Sequence, residues 1–366
     1  MKITKNKNVL VLGASIAGLS IAWWLNHIGY RVTVVELAAV DLNGDSVAIA
    51  KRMGLYEKLK SHQLGVDRIE YKNADDFTEG TIIMDHGAEP QEEEEIEIER
   101  EKFVEVLVQE LSGHIEFMFN NSIVEIEETE NSLNVAFKRG EPRIFGLVFG
   151  CDGSHSGTRK LWFGPEKEYA HFLGAYFSIS TVNELLLPQR FMQTFSVPYK
   201  TVMLNGYNGK TDIVFIFLSD EEICYNYRDI DGQRQIIKEH FTGQKWPTTE
   251  LLEKIEQSES FYFDKFCQIK MPAWSKGRVT LLGDAAYCPS PASGQGGSLA
   301  FQGAAAIADA LLKHHGNHEF AFKDYEETMR PKIEEIQISA EENVKTNFVL
   351  KTESEIRKRN TEAKLF

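Results

Sequence analysis

At 366 residues the chain exceeds what one hydrophobic core comfortably holds, so two domains are expected. A balance of 40 Lys and Arg against 55 Asp and Glu gives a formal charge of −15, which argues against nucleic acid or an anionic membrane as the main partner. With 42% hydrophobic and 26% charged residues the disordered and fibrous classes drop out. No stretch approaches the roughly 20 apolar residues of a membrane-spanning helix, so a cytoplasmic protein without a membrane partner is expected.

The opening reads as strand, glycine turn, helix, strand. Residues 9–12 are a continuous apolar run, as in a parallel strand covered on both faces; 19–25 are apolar at helical spacing; 31–35 are β-branched and end at Glu36. A helical pattern recurs over 48–59 with Gly54 as its stop. The acidic run 92–95 reads as a solvated loop, and the strand-like 96–98 leads into an amphipathic helix carrying Phe103, Val106, Leu107 and Leu111.

Alternating runs at 115–119, 123–126, 133–137 and 144–149 predict a small meander that returns to the main sheet. From 172 to 263 the aromatic-rich runs 176–179, 191–195, 201–204 and 213–218 predict a separate sheet domain. The strand 279–282 precedes a glycine-rich segment, 304–312 reads as a small-residue helix, and Ile333, Ile336, Ala340, Val344 and Phe348 share one face of a long C-terminal helix. Cys151, Cys224, Cys267 and Cys288 are far apart with no C-x-x-C pair, so neither a zinc site nor a disulfide scaffold is expected, and no metal.

Two segments carry chemistry. The first is Gly13-Ala14-Ser15-Ile16-Ala17-Gly18 between strand and helix. The tight turn needs Gly13, close helix packing needs Gly18, and the helix N-terminus offers N–H groups to a pyrophosphate. Ser15 stands where the usual middle glycine would be. Glycines also end strands for structural reasons, but Glu36, about 20 residues on, is placed to accept hydrogen bonds from adenosine ribose hydroxyls.

The second segment runs from Gly283-Asp284-Ala285-Ala286-Tyr287-Cys288-Pro289 through Pro291 to Gly294-Gln295-Gly296-Gly297. An acidic residue at a strand end suits a ribityl hydroxyl. Close-spaced glycines let backbone N–H groups approach a flavin ring, and a following helix N-terminus stabilises its anionic form.

Gly13–Gly18 with Glu36, then Cys151-Asp152-Gly153 with Ser156 and Arg159, then Gly283-Asp284 in its proline- and glycine-rich loop, resemble the three fingerprints of the class A flavoprotein monooxygenases. Phe261-Tyr262-Phe263-Asp264, Gln268-Ile269-Lys270-Met271, Trp274 and Lys276-Gly277-Arg278 narrow the resemblance to the tetracycline destructases and their relatives. The resemblance implies an α/β fold, with a Rossmann-type FAD-binding domain (1–70, 96–165 and 266–316), a second β-sheet substrate domain (71–95 and 166–265) and a C-terminal helical segment (317–366).

It further implies that FAD contacts Gly13, Ser15, Ile16, Ala17, Gly18, Glu36, Asp41, Arg100, Asp152, Gly153, Asp284, Pro291, Gly294, Gly296 and Gly297. A surface ion pair is the alternative reading of Arg100. Two departures stand out. Where the family has a longer loop after the Glu36 strand, only Leu37-Ala38-Ala39-Val40 precede Asp41, which fits either a shortened loop or a stretch omitted from this chain, and Tyr287 stands where many relatives have His. In relatives the longer loop holds a basic residue implicated in nicotinamide binding.

The implied activity is that of a monomeric NAD(P)H- and FAD-dependent monooxygenase. It would hydroxylate a polycyclic or aromatic small molecule with O2 through a flavin C4a-hydroperoxide, tetracyclines being the most specific candidates. NADPH or NADH is the reductant, and no obligatory catalytic acid or base is named. Gln193 resembles a substrate-contacting glutamine, and Phe191, Phe195, Phe215 and Phe217 are candidates for an aromatic floor, although each also fits ordinary sheet packing. Sequestration of a ligand without turnover is an alternative. A flavin halogenase is disfavoured because no Trp-x-Trp-x-Ile-Pro segment is present.

Overall fold

The computed structural model describes residues 6–36, 46–84 and 98–362. The chain divides into a first unit (Met1–Gln63, Gln91–His171 and Cys267–Ile338) and a second (Leu64–Pro90, Phe172–Phe266 and Ser339–Phe366). Asp41 and the acidic run 92–95 lie outside the described residues, as does most of the expected strand 96–98; Ile98 itself forms a bridge with Gln63.

In chain order the first unit begins with β1 (Asn8–Leu12), α1 (Ile16–His27) and β2 (Arg31–Glu36). The helical pattern around Gly54 becomes two helices, α2 (Ser46–Met53) and α3 (Tyr56–Lys60). The hairpin β3 (Arg68–Lys72) and β4 (Thr78–Ile83) belongs to the second unit. Then come α4 (Arg100–Leu111), β5 (Glu116–Phe119), β6 (Ile123–Glu128), β7 (Leu133–Phe137), β8 (Arg143–Phe145), β9 (Leu147–Gly150) and α5 (Gly157–Trp162).

The second unit resumes with β10 (Ala170–Val182), β11 (Phe191–Val197), β12 (Lys200–Tyr207), β13 (Lys210–Leu218), α6 (Ile230–Phe241), α7 (Thr248–Gln257) and β14 (Ser260–Ile269). The chain returns through β15 (Ser275–Lys276), β16 (Val279–Leu281), α8 (Asp284–Tyr287), α9 (Gly296–Lys313) and α10 (His318–Asn343). A π-helical turn (Val344–Phe348) and α11 (Glu353–Thr361) follow.

The first unit is built on a six-stranded sheet in the order β15-β16-β9-β1-β2-β5, in which β16, β9, β1, β2 and β5 run parallel. Its central strand shows why the opening run is apolar throughout. Val9 and Val11 pack into the core formed with α1, α4 and α9, while Leu10 and Leu12 pack against Leu133 and Val135 of a three-stranded sheet, β6-β7-β8. Both faces of β1 are covered, so neither tolerates a polar side chain.

Three expectations need correction. The run at 115–119 is not part of the meander: β5 pairs in parallel with β2, Glu36 opposite Phe119, at the edge of the main sheet. The run at 144–149 is two strands broken at Gly146, β8 in the small sheet and β9 in the large one. Helix α9 begins at Gly296 rather than at 304.

The second unit carries a seven-stranded sheet in the order β14-β10-β13-β12-β11-β3-β4. Helices α6 and α7, which strand periodicity did not anticipate, bury Ile237, Phe241, Leu251, Leu252 and Ile255 against one of its faces. No helix among the described residues is long and apolar enough to cross a membrane.

Candidate functional site

Parallel strands place their carboxyl ends side by side, and in an open α/β sheet that edge is where ligands bind. Register aligns Leu12 of β1 with both Val35 of β2 and Gly150 of β9, and aligns Gly150 with Leu281 of β16. The segments leaving these strands are therefore neighbours: Gly13–Gly18 from β1, Cys151-Asp152-Gly153 from β9, and Gly283-Asp284 from β16, with Glu36 ending β2. Elements far apart in sequence meet at one edge.

Backbone contact is what the glycines of the first loop supply. Gly13 adopts φ +101°, its N–H bonds to the Val35 carbonyl at 2.7 Å, and a Cβ there would sit 2.4 Å from the Cys151 oxygen. A Cβ on Gly18 would meet the Gly13 oxygen at 1.7 Å. Ser15 does more than tolerate the glycine position. Its hydroxyl donates to the Cys151 carbonyl (2.9 Å) and accepts from the Gly18 N–H (3.2 Å), so it ties the loop to the end of β9 and caps α1. The N–H groups of Ile16 and Ala17, first in the helix, have no acceptor within it and suit an anion.

Asp152 is engaged by protein. One carboxylate oxygen accepts from the Ser156 hydroxyl (2.5 Å), the other from the backbone and hydroxyl of Thr158 (2.8 and 2.9 Å). It shapes the loop at the start of α5, and at Gly153 the position of a Cβ is open space. Arg159, fully buried, donates to the Ala285 carbonyl (2.9 Å) and to the Ser154 carbonyl (2.5 Å), and pairs with Glu166 at 3.2 Å. One guanidinium thus joins the β9 loop to the β16 loop. Burial, the first cause, lowers its pKa from the usual arginine value, opposed by the carboxylates of Glu166 and Asp152.

The β16 loop packs through its glycine: a Cβ on Gly283 would lie 3.1 Å from Ala17 Cβ and 3.3 Å from Ala300 Cβ, so α1 and α9 both close on it. Asp284 opens α8 with its carboxylate beside the start of α9, 3.7 Å from where a Gly296 Cβ would be. Pro291 starts a 3₁₀ turn that ends at Gly294 in the left-handed conformation, φ +64°, again facing open space. Gln295 precedes α9 without a side-chain cap, which leaves the N–H groups of Gly296 and Gly297 as donors.

Tyr287 is core rather than chemistry. Fully buried beside Trp274, it fills the space where a Cβ on Gly303 would come within 2.2 Å of its hydroxyl, and burial pushes its pKa well above the ordinary tyrosine value. The Cys151 thiol is likewise raised by burial, then by Asp152 and Glu36, and stays protonated.

This donor set fits FAD. Two helix N-termini face the same edge, carboxylates at Glu36 and Asp284 suit sugar hydroxyls, and the Cβ positions of Gly153 and Gly294 are open. Arg100 begins α4, and Asp41 lies outside the described residues. Ser156 and Arg159 stand in the sequence motif, and in the structure they, with Thr158, hold the loops together; no local pattern encodes the contact between residues 159 and 285.

In the second unit the aromatic floor is not found. Phe215 and Phe217 are fully buried under α6, with Phe215 against Phe241 (4.7 Å between rings) and Phe217 stacked on His240 (3.8 Å) and Tyr176 (5.5 Å). Phe191 and Phe195 join the same core, Phe195 against Trp246. They alternate onto the face that α6 and α7 cover. Gln193 shares their parity and donates to Glu70 at 3.2 Å.

The FAD binding domain family matches residues 6–336 of the chain. A flavin-dependent monooxygenase from an unknown prokaryotic organism is 32% identical over 339 residues, covering 90% of this chain and 87% of its own. The crystal structure of tetracycline destructase Tet(55) superposes with a TM-score of 0.84 at 30% identity, covering 98% of this chain and 97% of that one. That of tetracycline destructase Tet(51) gives 0.81 at 32% identity, covering 97% and 94%.

Proposed function

This chain belongs to the FAD binding domain family as a flavin-dependent monooxygenase, and on that premise we propose that it uses NADPH or NADH and O2 to hydroxylate a polycyclic or aromatic small molecule, with tetracyclines the first class to test. The observation that carries the reading is the meeting of the Gly13, Asp152 and Asp284 loops at one sheet edge.

When bound, FAD supplies the redox chemistry, accepting hydride and activating oxygen. The chain's residues bind and orient it. The N–H groups of Ile16 and Ala17 hold the pyrophosphate, Glu36 the adenosine ribose and Asp284 a ribityl hydroxyl. The donors of Gly296 and Gly297, at the positive end of α9, would face the ring system and suit negative charge on it. Asp152 and Arg159 act on the cofactor through loop shape. No side chain is assigned as a general acid or base.

The tetracycline assignment is supported by the two destructase structures, whose similarity extends over nearly the whole chain. Purified FAD-loaded protein is incubated with NADPH or NADH, oxygen and a tetracycline, and antibiotic absorbance is followed. Nicotinamide-dependent loss is expected. A rate no higher than without enzyme removes tetracyclines as substrates; absence of nicotinamide oxidation with every aromatic compound tried removes the reductant assignment.

A further inference from the structure

The parallel sheet of the first unit lays out positions for a dinucleotide along one edge. Strand order places β9, β1, β2 and β5 side by side, with Gly150, Leu12, Val35 and Met118 level with one another. The Asp152 loop leaves β9, the helix-terminal donors for the pyrophosphate follow β1, and Glu36, suited to the adenosine ribose, closes β2. Neighbouring strands are ~4.8 Å apart, so a dinucleotide that crosses them one strand at a time carries its purine, attached to that ribose, over the end of β5.

What stands there is Phe119, 62% exposed. It is opposite Glu36 in the parallel ladder, and register gives the two side chains the same face. On that face Val34 and Phe117, two residues earlier in each strand, pack with the core that includes α1. The Phe117 and Phe119 rings lie parallel, 5.5 Å between centres and 3° between planes, so the half-buried ring supports the exposed one. The edge strand is pinned on both sides of this pair. Glu116 accepts from Thr33 Oγ1 of β2 (2.9 Å) and pairs with Arg143 of β8 (2.8 Å). Beyond Phe119, the buried Asn121 side chain exchanges hydrogen bonds with the Arg139 backbone, Nδ2 donating at 2.8 Å and Oδ1 accepting at 3.1 Å. Single exposed aromatics are ordinary on protein surfaces. This one is distinguished by its place: a supported ring at the carboxyl end of a parallel strand, one strand from the ribose carboxylate.

We propose that the Phe119 ring is a stacking platform for the adenine of FAD, so that this chain holds the adenosine half through an aromatic side chain as well as through Glu36. A purine offers a π-face whatever surrounds its polar edge, and an offset stack removes the exposed apolar ring from water without requiring a hydrogen-bond donor. The inference rests on the assignment of FAD and is independent of the substrate. Flavin binding is measured without nicotinamide and turnover with it, so failure of the stack and failure of the monooxygenase reading are distinguishable.

The test uses the full chain freed of flavin, titrated with FAD and, separately, with etheno-ADP, a fluorescent adenine nucleotide whose emission falls when its base stacks on indole. Phe119→Ala weakens FAD about tenfold or more, the size expected for one base–aromatic stack, whereas Phe119→Trp keeps wild-type affinity. The melting temperature without flavin stays near wild type in both variants, because the exposed ring lies outside the closed core. Etheno-ADP emission falls further on binding to the Phe119→Trp variant than on binding to wild type. Unchanged FAD affinity in Phe119→Ala overturns the proposal, as does etheno-ADP emission that is the same with wild type and with Phe119→Trp. If Phe119→Ala also melts early, the etheno-ADP comparison decides by itself. Wild-type protein that binds neither probe removes the FAD assignment and the stack with it.

Discussion

The loop cluster of the first unit and the sheet of the second are shaped by different parts of the chain. In the loop cluster, backbone does the recognising: helix-terminal N–H groups and close-packed glycines whose positions follow from main-chain geometry. On the sheet, side chains set what each face presents, and which of them is available depends on alternation, so one residue's shift in register exchanges the whole set. Backbone sites are accordingly more tolerant of neighbouring side-chain change, whereas the character of a sheet face changes with few substitutions.

Phe215→Ala gives the largest effect and separates the two regions most sharply. As part of the closed core under α6 it costs about 3–5 kcal/mol of stability in denaturant unfolding. A change in ligand affinity with stability intact would return Phe215 to an aromatic floor and overturn its place in the core.

Arg159→Met comes next. Removing a fully buried cation that joins two loops costs about 3 kcal/mol, because the Ala285 and Ser154 carbonyls and Glu166 lose their donor. FAD content after purification falls more than secondary structure by circular dichroism. Wild-type FAD retention in the variant would mean that the two loops hold their shape without this tie.

Ser15→Gly is the mildest. Glycine serves nearly as well at a helix N-cap, so the loss is chiefly the bond to the Cys151 carbonyl, about 1 kcal/mol. A small fall in melting temperature with FAD still bound is expected; full loss of FAD would make the Ser15 hydroxyl a direct cofactor ligand.

Local patterns made much of the first unit legible. The run at 9–12, Gly13 and Gly18, and Glu36 specify strand, turn, helix and strand within one short stretch, where each signal concerns nearby residues. Helices α6 and α7 are legible too, since Ile237 and Phe241, and Leu251, Leu252 and Ile255, recur at helical spacing, although they lie between aromatic runs of strand character. The placement of β5 beside β2 is not, because a short run such as Glu116-Phe117-Met118-Phe119 reads alike in a meander and at the edge of a parallel sheet.

By itself the sequence determined the chemistry of the loops, because glycine, serine and carboxylate positions around a strand end constrain the backbone locally and leave few alternatives. Only the tertiary structure decided which residues those loops depend on and which face of the second sheet is closed. Arg159 meets Ala285, and Arg359 meets Ser196 and Tyr71, across separations that no periodicity encodes. Phe215 and Val214 are equally apolar neighbours in the chain, and it is the docking of α6 that buries the first completely and leaves the second half-open.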